Sequence, residues 1–116
     1  DNLPVMHADA GKIVQVLVNL INNAIDAVEE GRGVINVFAS VDGRQLVFEV
    51  ADNGPGLHLD DDADPFKPFV TQKEGGTGLG LSIVSRIVHA HKGSVTYRNS
   101  PSGGAHFTVR IPTGTL

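Results

Sequence analysis

The sequence predicts an α+β fold, a two-layer α/β sandwich with helices packed on one face of a mixed, largely antiparallel sheet. Three observations predict it. A long segment near the start and a shorter one after residue 79 carry apolar residues at helical spacing. Two stretches rich in β-branched residues are each broken by a turn signal, the pattern of hairpins. The chain has 116 residues, 41% of them hydrophobic, with no internal repeat or low-complexity linker, which suits one domain over 1–116 around one core.

Taken in order, Asp9 is a plausible N-cap for a helix through "AGKIVQVLVNLINNAIDAVEEG", stopped by Gly31. Ile13, Val16, Leu17, Leu20, Ile21, Ala24 and Val28 give it a face to bury. "GVINVFASVDGRQLVFEVAD" reads as a hairpin joined at Asp42-Gly43. A polar, irregular stretch from Asn53 to about Gly76 follows, long enough to be a lid or binding loop. A second helix is expected from about Leu79 to Lys92, with Gly93 as its stop. "SVTYRNSPSGGAHFTVRIP" closes the order as a hairpin turning at Pro101 to Gly104.

Composition removes several function classes. The net charge is −4 and no Lys/Arg cluster exists, so nucleic-acid binding by phosphate neutralisation is not expected. Cysteine is absent, which excludes disulfides and thiolate metal sites. No apolar run is long enough to span a membrane, and "DNLPVMHADAG" lacks a signal-peptide pattern. The expectation is a cytoplasmic, monomeric domain, cut from a longer chain that is free to carry a membrane anchor elsewhere.

Three polar islands carry the chemistry. In the first helix, Gln15, Asn19 and Asn23 share a stripe at i, i+4, i+8, with Asp26 three residues beyond. Asparagine is a mediocre helix former, so Asn19, Asn22 and Asn23 need a reason. Either the stripe faces solvent, or its neutral oxygens serve a hard cation such as Mg²⁺ whose other ligands are phosphates and water. "ADNGPG" at 51–56 follows a strand directly. It is either an ordinary Asp-Asn-Gly turn or a base-recognition turn. In the second case Asp52 accepts the exocyclic amine of adenine, and Gly54 and Gly56 let the base approach. "GGTGLGLS" places Gly76, Gly78 and Gly80 at a helix entrance, where unpaired amides and the helix dipole favour phosphate. Lys73 precedes them closely enough to reach a terminal phosphate. The pattern is not a P-loop, and no strand feeds into it as in a dinucleotide fingerprint.

Together these islands resemble the ATP-binding catalytic domain of sensor histidine kinases, within the gyrase, Hsp90, histidine kinase and MutL superfamily. "QVLVNLINNAIDA" looks like its asparagine box, "DNGPG" its first glycine box, "DPFKPF" its phenylalanine box and "GGTGLGLSIV" its second glycine box, in order across residues 8 to 112. The resemblance implies the Bergerat ATP-binding sandwich, ATP and Mg²⁺ as cofactors, and an ATP lid at about 57–76 anchored by Phe66 and Phe69. It implies Asn23 as the Mg²⁺ ligand, with Asn19, Asn23 and Lys73 as the catalytic set. Asp26, Asp52, Gly54, Gly56, Gly76, Thr77, Gly78, Leu79, Gly80 and Thr108 are the further ATP-binding positions. The implied partners are the dimerisation/histidine phosphotransfer domain of the same full-length protein and the receiver domain of a response regulator.

Position 19 separates the subfamilies. The related ATPases carry glutamate there as general base; an amide has no useful basicity near pH 7 and cannot take water's proton. The expected function is therefore transfer of the γ-phosphoryl group to a histidine on a separate domain, within a two-component sensor kinase. The alternatives are a nucleotide-binding module without phosphotransfer and an anti-sigma-factor-like serine kinase. Two departures stand out. Four aspartates and Pro65 occupy "LHLDDDADPF" in the lid, and none of the five histidines lies in a substrate-histidine helix motif.

Overall fold

The structure, a computed structural model, describes residues 10–56, 66, 80–100 and 103–112. The first helix, α1, runs Ala10–Ala27. Val16, Leu20 and Ala24, one helical face at successive turns, are buried at 0%, 0% and 2% exposure, which is what holds this segment helical. The helix ends short of the expected stop. The Val28 amide still bonds to Ala24 O, but Glu29 to Arg32 forms a separate turn and Gly31 adopts φ 84°. Past Val28 the residues are exposed and polar, so nothing anchors another helical turn. Asp9 lies outside the described residues.

Strands β1 (Ile35–Asp42) and β2 (Gln45–Asp52) pair from Asp42↔Gln45 to Ile35↔Asp52. The two turn residues are Gly43 and Arg44, one position later than the sequence signal. Gly43 takes φ 63° as the first turn residue, the position where a type II′ hairpin turn requires glycine. Helix α2 spans Gly80–Ala90, followed by β3 (Ser94–Asn99) and β4 (Ala105–Pro112). The sheet order is β1-β2-β4-β3 and every pairing is antiparallel, so among the described residues the sheet is not mixed. Alternation on β4 is regular: Ala105, Phe107, Val109 and Ile111 are buried, their neighbours half-buried or exposed. Both helices lie over that apolar face, and Val16, Leu20, Val84, Val88, Val50 and Phe107 form the centre of the core.

The end of α2 shows how tightly the layers meet. Lys92, not Gly93, takes the left-handed conformation at φ 62°, with the Lys92 amide donating to His89 O and the Gly93 amide to Val88 O, both at 2.9 Å. Gly93 is needed for another reason. A β-carbon there would press into the Arg110 carbonyl of β4 and come within 3.1 Å of Val88 Cγ1. Gly93→Ala is expected to cost about 1–3 kcal/mol as an overpacked contact. Urea unfolding checks this, and an unchanged midpoint would show that the helix end and strand part freely.

Candidate functional site

Asp52 ends β2 and is 8% exposed. A buried carboxylate needs partners, and two backbone amides supply them. Gly54 N donates to Asp52 Oδ1 at 2.9 Å and Ala105 N donates to the same oxygen at 3.2 Å. Among the described residues Oδ2 takes no hydrogen bond. The carboxylate is thus held on one oxygen and available on the other. Asn53 locks the turn from the far side: its Oδ1 accepts from Val34 N at 2.9 Å and its Nδ2 donates to Arg32 O at 3.0 Å.

The glycines of this turn have a packing duty that the sequence does not show. A β-carbon on Gly54 would lie 2.5 Å from Ala27 O at the end of α1, and one on Gly56 would lie 2.7 Å from Asn99 Oδ1. Their missing side chains let α1 and β3 close around the turn.

On α1, Gln15, Asn19 and Asn23 are half-buried, so the stripe is not a solvent-facing one; Asp26 is exposed at its end. Asn19 faces the start of α2, with its Oδ1 3.9 Å from where a β-carbon on Gly80 would stand. Its Nδ2 is buried and, among the described residues, has no hydrogen-bond partner. An orphaned buried donor is costly and calls for an acceptor such as an anionic oxygen. Helix α2 starts beside it with no acidic residue in its own first turn, so the positive end of its dipole is not offset from within the helix. Among the described residues no cluster of three or more His, Asp or Glu could hold a metal. A divalent ion here would need ligand oxygens from a bound group in addition to the asparagines, which is the Mg²⁺–phosphate manner of binding.

Thr108 does not join this site. It pairs with Glu49 and Thr96 on the face of the sheet away from the helices, because its neighbours Phe107 and Val109 occupy the inner face. That outer face also carries His106, whose Nε2 meets Glu49 Oε1 at 2.9 Å while Arg98 Nη2 lies 3.2 Å from its Nδ1. Lys73, Gly76, Thr77, Gly78 and Leu79, with Phe69 and all of 57–76 except Phe66, lie outside the described residues. Phe66 is half-buried, edge-on to Tyr97 and Phe107 with ring centroids 6.2 and 6.1 Å away. Sequence reasoning missed the Ala105 amide and the Asn53 clamp.

Comparison with known proteins bears on the family and the fold. Residues 8–115 match the family described as histidine kinase-, DNA gyrase B-, and HSP90-like ATPase. The chain is similar to the sensor histidine kinase ZraS of Escherichia coli K12, 40% identical over 112 residues, covering 97% of this chain and 24% of ZraS. It is 32% identical over 107 residues to sporulation kinase B of Bacillus subtilis, covering 92% of this chain and 25% of that protein. The chain therefore spans about a quarter of the length of these relatives. Among solved structures, the catalytic domain of histidine kinase ThkA superimposes with a TM-score of 0.82 at 36% identity, over 93% of this chain and 70% of that one. Full-length ShkA, solved in complex with AMPPNP, gives 0.81 at 39% identity, over 98% of this chain and 24% of ShkA.

Proposed function

The chain belongs to the histidine kinase-, DNA gyrase B- and HSP90-like ATPase family, and on that premise we propose that it is the ATP-binding catalytic domain of a two-component sensor histidine kinase. It holds ATP with Mg²⁺ and presents the γ-phosphoryl group to a histidine on the dimerisation/phosphoacceptor domain of the full-length protein. A response regulator then receives that group from the histidine. The nucleotide bound in full-length ShkA is an ATP analogue, which supports ATP as the ligand here.

The observation that carries this reading is the buried amide of Asn19 facing the start of α2. An amide there can donate to a phosphate oxygen but cannot activate water. Phosphoryl transfer relies on positioning and electrostatic stabilisation, so the domain's share is to hold the nucleotide in line with its acceptor. Helix α1 sets the spacing. The Asp52 turn packs on Ala27 and α2 starts beside Asn19, about 12 Å apart along the helix axis at 1.5 Å per residue. In this reading adenine meets Asp52 Oδ2, and the phosphates meet Asn19 and the amides from Gly76 through Thr77, Gly78 and Leu79 to Gly80. Lys73 reaches the terminal phosphate, and Asn23 takes the Mg²⁺ with Asp26 beyond it. Bound Mg²⁺ supplies neutralisation of phosphate charge.

The isolated chain is expected neither to hydrolyse ATP at a significant rate nor to label itself. Supplied with the dimerisation domain of its own full-length protein, γ-labelled ATP and Mg²⁺, it should transfer label to that domain. The product should be acid-labile, as phosphohistidine is and phosphoserine is not. Rapid phosphate release by the chain alone would contradict the proposal.

A further inference from the structure

We propose that Gly104, acting through the backbone amide of Ala105, is a positioning residue for base recognition: it fixes which oxygen of Asp52 faces the nucleotide. The inference rests on the reading of Asp52 as the acceptor for adenine.

The terminal torsion of an aspartate side chain is broad, so one hydrogen bond does not set the plane of its carboxylate. Asp52 has two on the same oxygen, from different parts of the chain. Gly54 N donates from within its own turn at 2.9 Å, and Ala105 N donates from β4 at 3.2 Å. The pair commits Oδ1 and leaves Oδ2 for a ligand. The register explains why Ala105 reaches a side chain. The last β2–β4 pair is Ala51↔His106, so Asp52 and Ala105 stand one residue past the ladder.

That approach requires a residue without a side chain before Ala105. Gly104 has φ 91°, and a β-carbon on it would lie 2.8 Å from the Asp52 carbonyl carbon and 3.1 Å from Asn53 Cα, and would overlap the Asp52 carbonyl oxygen. Backbone cannot yield as the tip of a flexible side chain does, so any side chain at 104 pushes β4's first residue away from Asp52. The same loop contains a matched control. Gly103 is also left-handed at φ 100°, but a β-carbon there would meet only Gly54 O at 3.8 Å, an ordinary contact. Alanine at either position carries left-handed strain; only at 104 does it also displace Ala105.

The test titrates ADP and IDP into the wild type, Gly104→Ala, Gly103→Ala and Asp52→Asn by calorimetry. IDP has a carbonyl where adenine has its amine, so the ADP-to-IDP affinity ratio reads the Asp52 contact separately from general damage to the pocket. The ratio is expected to fall about threefold to tenfold in Gly104→Ala, the range for one misplaced hydrogen bond, and to stay within about twofold of wild type in Gly103→Ala. A wild-type ratio in folded Gly104→Ala overturns the proposal. If Gly104→Ala does not fold, amide exchange decides: the Ala105 amide should be protected in the wild type and exchange faster in Asp52→Ala, and equal exchange overturns the proposal. An unchanged ratio in Asp52→Asn instead removes the base-recognition reading itself. A collapsed ratio there with a wild-type ratio in Gly104→Ala removes only the role of Gly104.

Discussion

Asp52→Asn is expected to weaken ADP binding by at least about tenfold while leaving the fold intact, because a hydrogen bond to a charged acceptor is worth roughly 1.5–3 kcal/mol. Asparagine is the informative replacement because Asp52 has two duties. Its Oδ1 satisfies the amides of Gly54 and Ala105, and an amide oxygen can accept both bonds as the carboxylate does. At the other position the substitution puts an NH₂ group where Oδ2 was. Two donors then face each other when adenine binds, whereas the carbonyl of hypoxanthine gains a donor. ADP should therefore lose affinity while IDP gains relative to it. Asp52→Ala should lose ADP as well, but with a lower melting temperature, since it leaves two amides at a buried site without their acceptor. Unchanged ADP affinity in both variants, measured calorimetrically, would end the assignment of Asp52.

The parts of this fold that the sequence shows are those that rest on side chains in periodic order. Val16, Leu20 and Ala24 mark the buried face of α1, and Ala105, Phe107, Val109 and Ile111 mark that of β4. The asparagines of α1 are conspicuous because they interrupt an apolar pattern, and the half-burial of Asn19 speaks against a solvent-facing stripe without showing what its amide binds. Thr108 was open to correction from the sequence itself. Alternation with Phe107 and Val109 puts it on the outer face, but the family resemblance carried a site role across that periodicity. What the sequence cannot show are backbone donors and close approaches. The Ala105 amide has no residue signature, and Gly54, Gly56 and Gly93 read as flexible or terminating positions. Their actual partners, Ala27, Asn99 and Arg110, come from elsewhere in the chain.

Phe107→Ala is expected to destabilise the domain by about 3–5 kcal/mol, the cost of a large cavity in a packed core. Phe107 is 1% exposed and is one of the largest fully buried side chains. It stands on β4 opposite Val50 on one side and Tyr97 on the other, so its loss loosens both neighbouring strands. A domain of this size has a total stability of roughly 5–15 kcal/mol, so the variant should sit close to unfolding at 37 °C. The ring also links the core to the segment before α2. Phe66 packs edge-on against it at 6.1 Å and 78°, and Tyr97 completes the cluster at 6.0 Å. Phe107→Leu preserves most of the volume but removes the ring edge, which allows a double-mutant cycle with Phe66→Ala. Urea unfolding of the four proteins should give a coupling of about 0.5–1.5 kcal/mol, the range for aromatic pairs beyond their buried area. A Phe107→Ala loss below about 1 kcal/mol would place the core elsewhere, since deleting a well-packed ring cannot be that cheap. Zero coupling in the cycle would mean that Phe66 contributes burial alone, and that the phenylalanine box is not tied to the sheet through Phe107.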